Sequence, residues 1–524
     1  MLIDGRTIPS GTRLTTDVCI VGAGAAGIAL ALTLCEGPYQ ITVLESGGLE
    51  PDPETQRLAE GAVTGLPYYP LQSARLRCFG GSTTHWGGWC RPLEAIDFEE
   101  RPWVPHSGWP ITRATLDPHY LRAQELCQLG HFDYDPSGWD LTAAPVLPLQ
   151  GDAVRTKLIQ FSPPTRFGAR YREALSGASN VKLCLNSNVV GLASMANGRG
   201  VANLDVTTFA RNSFQVAAKL YILAAGGIDN PRLLLVSNRA NPRGLGNDHD
   251  LVGRFFADHI MLDSAGVFPI DPKVSFDLYQ PQSRTVARKS KHALARSANV
   301  MGYLTLTPEL QQRGATLNYS CNVLRTSWAD YYLHADRAAT TNDSTLREIG
   351  EAIRNVWRNL TDASKGALGL GDSDIFYKIV TTQEQAPNPD SRVSLAETRD
   401  AFGVPLASLH WQLTDLDRHT IKVALGAIAQ AFGASNMARI QIPHDFTVEP
   451  WPSYMVGSWH HCGTTRMHRD PKQGVVDADC KVHGMDNLYV AGSSVFPTGG
   501  NGNPTLTIIA LALRLAEHVR RVLK

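Results

Sequence analysis

Residues 17–45, Asp17 to Glu45, read DVCIVGAGAAGIALALTLCEGPYQITVLE, and this stretch decides the fold. Val18–Val21 is a short apolar run of the kind that forms a buried parallel strand. Gly22, Gly24 and Gly27 follow as G-x-G-x-x-G, Ala25–Leu34 has the composition of an apolar helix, and Ile41–Leu44 is a second strand closed by Glu45. A lone G-x-G-x-x-G is weak evidence, but here strand, turn, helix, strand and acidic residue occur in order. Gly22 makes the tight turn, Gly24 admits a pyrophosphate close to the backbone, and Gly27 lets the helix pack on the strand. The helix N-terminus offers free N–H groups and the positive end of a dipole. Glu45 can accept from both ribose hydroxyls and would repel a 2′-phosphate, so the expected ligand is FAD or NAD and not NADP.

Two later segments extend the same sheet. LYILAAGGIDNPRLLLVS (220–237) reads as a strand, a small-residue turn and a helix opening near Pro231. NLYVAGSSVFPTGGNGNPTLTIIALALRLAEHV (487–519) reads as a strand at Leu488–Ala491, a turn at Gly492 and Ser493, a glycine loop, and a helix with Asn503 as cap and Pro504 in its first turn. That helix is apolar through Leu515 and therefore expected to be buried. A buried helix N-terminus suits an isoalloxazine ring, because reduction leaves negative charge that a helix dipole stabilises.

WHHCGTTRMH, Trp459 to His468, places three histidines and a cysteine within ten residues. The spacing alone fits a metal site or an acid–base histidine. Adjacent side chains in an extended segment point opposite ways, so His460 and His461 cannot easily share one metal. No metal site is expected.

These segments together resemble the glucose–methanol–choline (GMC) oxidoreductases, with motifs nearest to pyranose-oxidase-like and bacterial sugar dehydrogenase or oxidase members. The resemblance rests on the Gly22–Gly27 fingerprint, FGGSTTHWGG (79–88), LAAGGIDNPRLL, EQAPNPDSRVSL (384–395), HHCGTTRM and the final GNGNPTLT. It implies a Rossmann-like α/β FAD-binding domain with an inserted α+β substrate domain built on an antiparallel sheet. It also implies oxidation of an alcohol to a carbonyl with FAD. In the His-x-x-Gly-Thr-x-Arg-Met pattern His460 is the base, and Asn503 stands at the second catalytic position beside it. The resemblance further assigns to the cofactor Gly22, Gly24, Ala25, Gly27, Glu45, Ser46, Gly80, Gly81, Ser82, His85, Trp86, Val189, Ala225, Gly226, Gly492, Ser493, Asn503, Pro504 and Thr505. His85 sits where relatives attach the flavin 8α-methyl group. The implied state is a covalent flavin, and the alternative is a ring packed against the dimethylbenzene edge. The implied substrate is a small-molecule alcohol, a sugar or glycoside hydroxyl before a non-sugar one, with oxygen or another electron acceptor. A hydroxynitrile-lyase-like protein without net redox and a non-enzymatic prenyl-GTPase escort-like protein are the rival readings.

Bulk properties agree with an enzyme of more than one domain. The chain has 524 residues, 43% apolar and 19% charged. Lys+Arg and Asp+Glu balance at 49 each, which leaves no basic footprint for nucleic acid. Nine scattered cysteines without a C-x-x-C pair argue for reduced thiols and a cytoplasmic setting, as does an N-terminus without a secretion-signal pattern. No apolar run reaches the roughly 18–20 residues of a spanning helix. The FAD-binding domain is expected over 1–105, 165–258 and 455–524, with the substrate domain over 106–164 and 259–454. Strands are expected at Val267–Leu278, Asn299–Leu306 and from Leu406. Residues 326–372 have a helical pattern, read as an amphipathic surface helix.

Overall fold

A computed structural model of the chain describes residues 1–281, 284–289, 297–327 and 375–524. The helical pattern expected over 326–372 therefore lies almost wholly outside the described residues.

Among the described residues, the first sheet has eight strands in the order Leu2–Asp4, Val181–Leu185, Ile41–Leu44, Arg13–Val21, Ser213–Leu223, Val201–Thr207 and Asn188–Ser194, with Leu488–Val490 also paired to Ser213–Leu223. The strands around Arg13–Val21 are parallel: Val18 aligns with Ile41 on one side and with Leu220 on the other. Val18, Cys19 and Ile20 are fully buried, as the uninterrupted apolar run requires of a strand covered on both faces. Helix Ala25–Leu34 is buried almost all round because it lies between the sheet and the C-terminal helix Thr505–Val522. The C-terminal helix buries Leu506, Ile509, Ala510 and Leu513 and ends in Arg520 and Arg521, cations suited to the negative end of its dipole.

The second sheet, nine-stranded among the described residues, is antiparallel: Ala438–Gln441, Ile260–Pro269, Ile375–Gln383, Tyr319–Ser327, Ala298–Leu306, Val154–Phe161 and Trp89–Cys90, with Arg284–Val286 and Val456–Gly457 attached. A small third sheet joins Arg392–Arg399, Pro405–Trp411 and Gly61–Gly65. The two large sheets interleave in sequence, since Trp89–Cys90 and Val456–Gly457 pair into the second sheet although their neighbours serve the first.

Local readings differ in two places. The strand expected at Val267–Leu278 runs instead over Ile260–Pro269, and Asp277–Tyr279 forms a short 3-10 turn. Val274, Phe276 and Leu278 alternate like strand residues, but the chain leaves the sheet at Pro269, and Phe276 and Leu278 are buried at and within the 3-10 turn. The helix expected to open near Pro231 spans Gly226–Val236, with Pro231 inside it. A proline leaves the carbonyl four residues earlier without its helical partner. Here the Gly227 carbonyl accepts from Thr464 Oγ1 at 2.6 Å, so the helix tolerates the proline.

Candidate active site

A cavity of about 710 Å³ lies between the two large sheets, in the size range of a cofactor-plus-substrate site. The glycine fingerprint forms one end. Gly22 is left-handed (φ 99°), and a Cβ there would lie 2.7 Å from the Ala224 carbonyl. A Cβ on Gly24 would meet nothing within 4 Å, because that face opens on the cavity. Gly27 and Gly80 do not line the cavity. Gly27 abuts the Gly22 carbonyl, where any Cβ would collide, and the left-handed Gly80 (φ 105°) donates its N–H to Ala23 O at 2.9 Å. That bond fastens the 79–88 loop to the fingerprint, and Gly81, Ser82, His85 and Trp86 then reach the cavity wall.

Glu45 ends its strand at the cavity with its carboxylate fixed by two N–H donors, Ala23 N to Oε2 at 2.8 Å and Gly47 N to Oε1 at 3.0 Å. Burial pushes its pKa up to about 7. Next to it Ser46 Oγ donates to Asn188 Oδ1 at 2.6 Å and accepts from Arg77 at 3.0 Å. Asn188 Nδ2 and Arg77 Nε are buried at the cavity wall without a protein partner. Asp229 joins Arg75 (2.7 Å) and Arg77 (2.9 Å) in a buried ionic cluster on the same wall, which the sequence reading missed.

Three helix N-termini converge here, at Gly24, Ala225 and Pro504, and none has a side-chain cap. Ala25, Val189, Ala225, Gly226, Gly492, Ser493, Pro504 and Thr505 all border the cavity. Gly226 (φ 84°) and Gly492 (φ 109°) have open space where a Cβ would be. Asn503 is not the cap of the final helix. Pro504 occupies that position, with its carbonyl accepting from Ile508 N at 2.8 Å, which leaves the Asn503 amide free to face the cavity.

His460 and His461 both border the cavity but meet different partners. His460 Nε2 lies 3.4 Å from Asn503 Nδ2, and its Nδ1 lies 2.8 Å from Nδ1 of His259. His461 packs among Tyr68 and Phe256, with its pKa pushed down to about 3 by burial. Burial also holds His460 well below the ordinary imidazole range, with the neighbouring His259 adding to the shift, so it is neutral at pH 7 with a lone pair to offer. The loop bearing it is organised by Asp258, whose carboxylate accepts from the backbone N–H of His259 (2.7 Å), His460 (2.8 Å) and Trp459 (3.0 Å) and from the Tyr68 hydroxyl. A two-way backbone pairing of Ala257 with Cys462 brings these segments together. Cys462 is buried packing, and His468 accepts at Nδ1 from Asp470 N at 2.9 Å, away from the cavity. His85 stacks parallel to Trp459 with centroids 6.2 Å apart, and Trp86 donates to Thr165 O at 2.9 Å. Among the described residues no group of three or more His, Cys, Asp or Glu side chains could hold a metal ion.

The donor set fits a dinucleotide flavin. Uncapped helix N-termini and partnerless donors accept phosphate and carbonyl oxygens, the carboxylate of Glu45 accepts hydroxyls, and the side-chain-free faces of Gly24, Gly226 and Gly492 leave room for close approach. The fold and cavity thus define a flavoprotein with a second, antiparallel sheet over its site. Residues 17–243 match the family model described as FAD dependent oxidoreductase, and residues 387–512 match GMC oxidoreductase. The chain is 25% identical to the 2-methyl-1,2-propanediol dehydrogenase of Mycolicibacterium austroafricanum, over 97% of this chain and 95% of that one. It is 22% identical to the fructose dehydrogenase large subunit of Gluconobacter japonicus, over 98% and 99%. The crystal structure of pyridoxine 4-oxidase from Mesorbium loti shares the fold, with a TM-score of 0.54 at 17% identity over 96% of this chain and 99% of that one. Over nearly its whole length the chain is thus similar to GMC oxidoreductases, and it is an FAD-dependent enzyme acting on a CH–OH group.

Proposed function

We propose that the protein oxidises a hydroxyl of a sugar or glycoside to a carbonyl, with His460 as base and Asn503 beside it orienting the substrate oxygen. The observation that carries the catalytic reading is the cavity-facing pair of His460 Nε2 and Asn503 Nδ2, 3.4 Å apart. Bound FAD supplies the two-electron acceptor for the hydride that leaves the carbinol carbon. His460 Nε2 takes the hydroxyl proton as that hydride departs, so one proton and one hydride leave the alcohol together. Asn503 cannot take the proton. Its amide hydrogen-bonds the oxygen and fixes the reacting geometry. Glu45, Ser46 and the glycines at 22, 24, 226 and 492 are assigned to the cofactor, with Gly27 and Gly80 holding their loops in place. His85 is assigned to covalent attachment.

The sugar assignment is supported by the polar wall that the antiparallel sheet contributes. Ser320, Asn322 and Thr382 line it beside Arg91, and Tyr69 and Trp459 add aromatic faces. A polyol meets hydrogen-bond partners there and a surface for its C–H face. The fructose dehydrogenase relative points the same way, whereas the 2-methyl-1,2-propanediol dehydrogenase relative favours a small non-sugar alcohol. Under this reading residues 1–105, 165–258 and 455–524 bind FAD and residues 106–164 and 259–454 bind substrate. Nine unpaired thiols support a cytoplasmic location; among the described residues no helix is long and apolar enough to cross a membrane.

The test is anaerobic bleaching of the flavin by a panel of monosaccharides, glycosides and aliphatic diols. Bleaching by sugars ahead of diols supports the assignment. Reduction by diols alone replaces the substrate class, and a flavin that no alcohol reduces favours the lyase-like alternative.

A further inference from the structure

We propose that His259 is a positioning residue that sets the proton inventory of His460 and keeps its Nε2 lone pair turned to the cavity. This rests on His460 being the base. His259 is fully enclosed, and His259 Nε2 lies 2.9 Å from the Gly500 carbonyl. A carbonyl oxygen only accepts, so that nitrogen carries the proton. In a neutral imidazole the other nitrogen is then an acceptor, and His259 Nδ1 faces His460 Nδ1 at 2.8 Å. Of that pair His460 must donate. Its proton is held at Nδ1 and its Nε2 is left unprotonated, opposite Asn503 Nδ2 at 3.4 Å.

Both ends of this short chain are pinned. Asp258, the residue before His259, holds the backbone N–H of His259 and of His460. Gly500 is left-handed (φ 56°), and its N–H donates to Glu384 at 3.3 Å. Glu384 is in turn paired with Arg101 at 2.8 Å. The alternative arrangement needs His259 doubly protonated, so that it donates at both nitrogens and reverses the proton on His460. Burial, with Arg91 adding to it, pushes the His259 pKa down to about 4, which removes that state at neutral pH. The titratable and charged groups around the pair are Arg91, Asp97, Glu384, Asp258, His461 and Cys462. Once His460 has taken the substrate proton at Nε2, its Nδ1–H still has the His259 lone pair as acceptor, so the imidazolium forms without losing a partner.

The inference is tested on the FAD-loaded enzyme with 15N-labelled histidine. The His460 and His259 signals are assigned by their loss in His460→Ala and His259→Asn. The expected spectrum has His460 protonated at Nδ1 and bare at Nε2, and His259 the reverse. A proton on His460 Nε2 overturns the inference. In rapid anaerobic reduction, His259→Leu should lower the limiting rate on the order of 10²–10⁴-fold, the span over which a base is lost or held in the wrong tautomer. Substrate half-saturation and the oxidised flavin spectrum should stay unchanged. His259→Asn, which can still offer an acceptor near the Nδ1 position, should recover most of the rate. Equal loss in both variants, together with an altered flavin spectrum, would assign His259 to packing alone. His460→Ala separates the two claims: a native reduction rate there removes the base itself, whereas a crippled rate with the wrong tautomer in the wild type removes only the role of His259.

Discussion

Affinity for FAD should depend on the ionisation of Glu45. In the protein without cofactor the carboxyl is enclosed and has a pKa near 7 even though Ala23 and Gly47 donate to it and Arg77 lies nearby. Ribose hydroxyls donate to the ionised form, so binding below this pKa first requires loss of a proton. The apparent Kd then scales as one plus the ratio of protonated to ionised carboxyl. Lowering the pH from 8 to 6 should weaken binding roughly tenfold, and lowering it to 5 roughly a hundredfold, since each pH unit beyond the pKa is about 1.4 kcal/mol. Other titratable groups on the wall do not imitate this: His460 is held well below 6.5, His461 near 3, and Asp229 is lowered by its arginines. The assay is quenching of flavin fluorescence on titrating apoprotein with FAD between pH 5 and 8.5, in a His85→Ala background so that no covalent bond hides the equilibrium. Glu45→Gln should flatten the profile and stay weak at high pH. One of its two backbone donors then faces an amide N–H, and the charged acceptor is gone, for a loss of about 1.5–3 kcal/mol, or roughly 10–150-fold in Kd. A wild-type Kd constant from pH 6 to 8, or a glutamine variant that keeps the slope, would refute the reasoning.

His460→Ala should retain FAD but lose on the order of 10²–10⁴ in the rate of flavin reduction by substrate, read by stopped-flow absorbance at 450 nm; a native rate would remove it from the mechanism. After acid precipitation of the wild type, flavin colour should stay with the pellet, and in His85→Ala it should move to the supernatant; a yellow supernatant from the wild type would reduce His85 to packing. Gly27→Ala should lower the melting temperature by several degrees and weaken FAD retention, because its Cβ runs into the Gly22 carbonyl, an overpacking of about 1–3 kcal/mol. An unchanged melting temperature in that variant would show that strand and helix have slack at this crossing.

What could be read from the sequence was what lies close together along it. The turn at Gly22–Gly27, the helix Ala25–Leu34 and the strand Ile41–Leu44 follow from residues within a single βαβ unit, and the structure has each of them. Pro231 misled because the proton its carbonyl partner needs comes from Thr464, more than two hundred positions away. Val274, Phe276 and Leu278 misled because an alternating apolar pattern records burial, and a 3-10 turn buries side chains as a strand does.

The site divides along the same line. His460 stands out because it sits in a dense local motif, but a motif does not say which of its nitrogens carries the proton. That is set by His259 and by the carbonyl of Gly500, from two other parts of the chain. The contact is assembled by a carboxylate, Asp258, that collects the backbone N–H groups of His259, Trp459 and His460 at once. A local signal was available: Asp258-His259 stands directly before the buried strand Ile260–Pro269, and two ionisable residues entering a core must find partners there. Reading that pair as a demand for partners would have marked both side chains as buried and hydrogen-bonded, but it would not have placed them beside His460, because the demand for a partner carries no address.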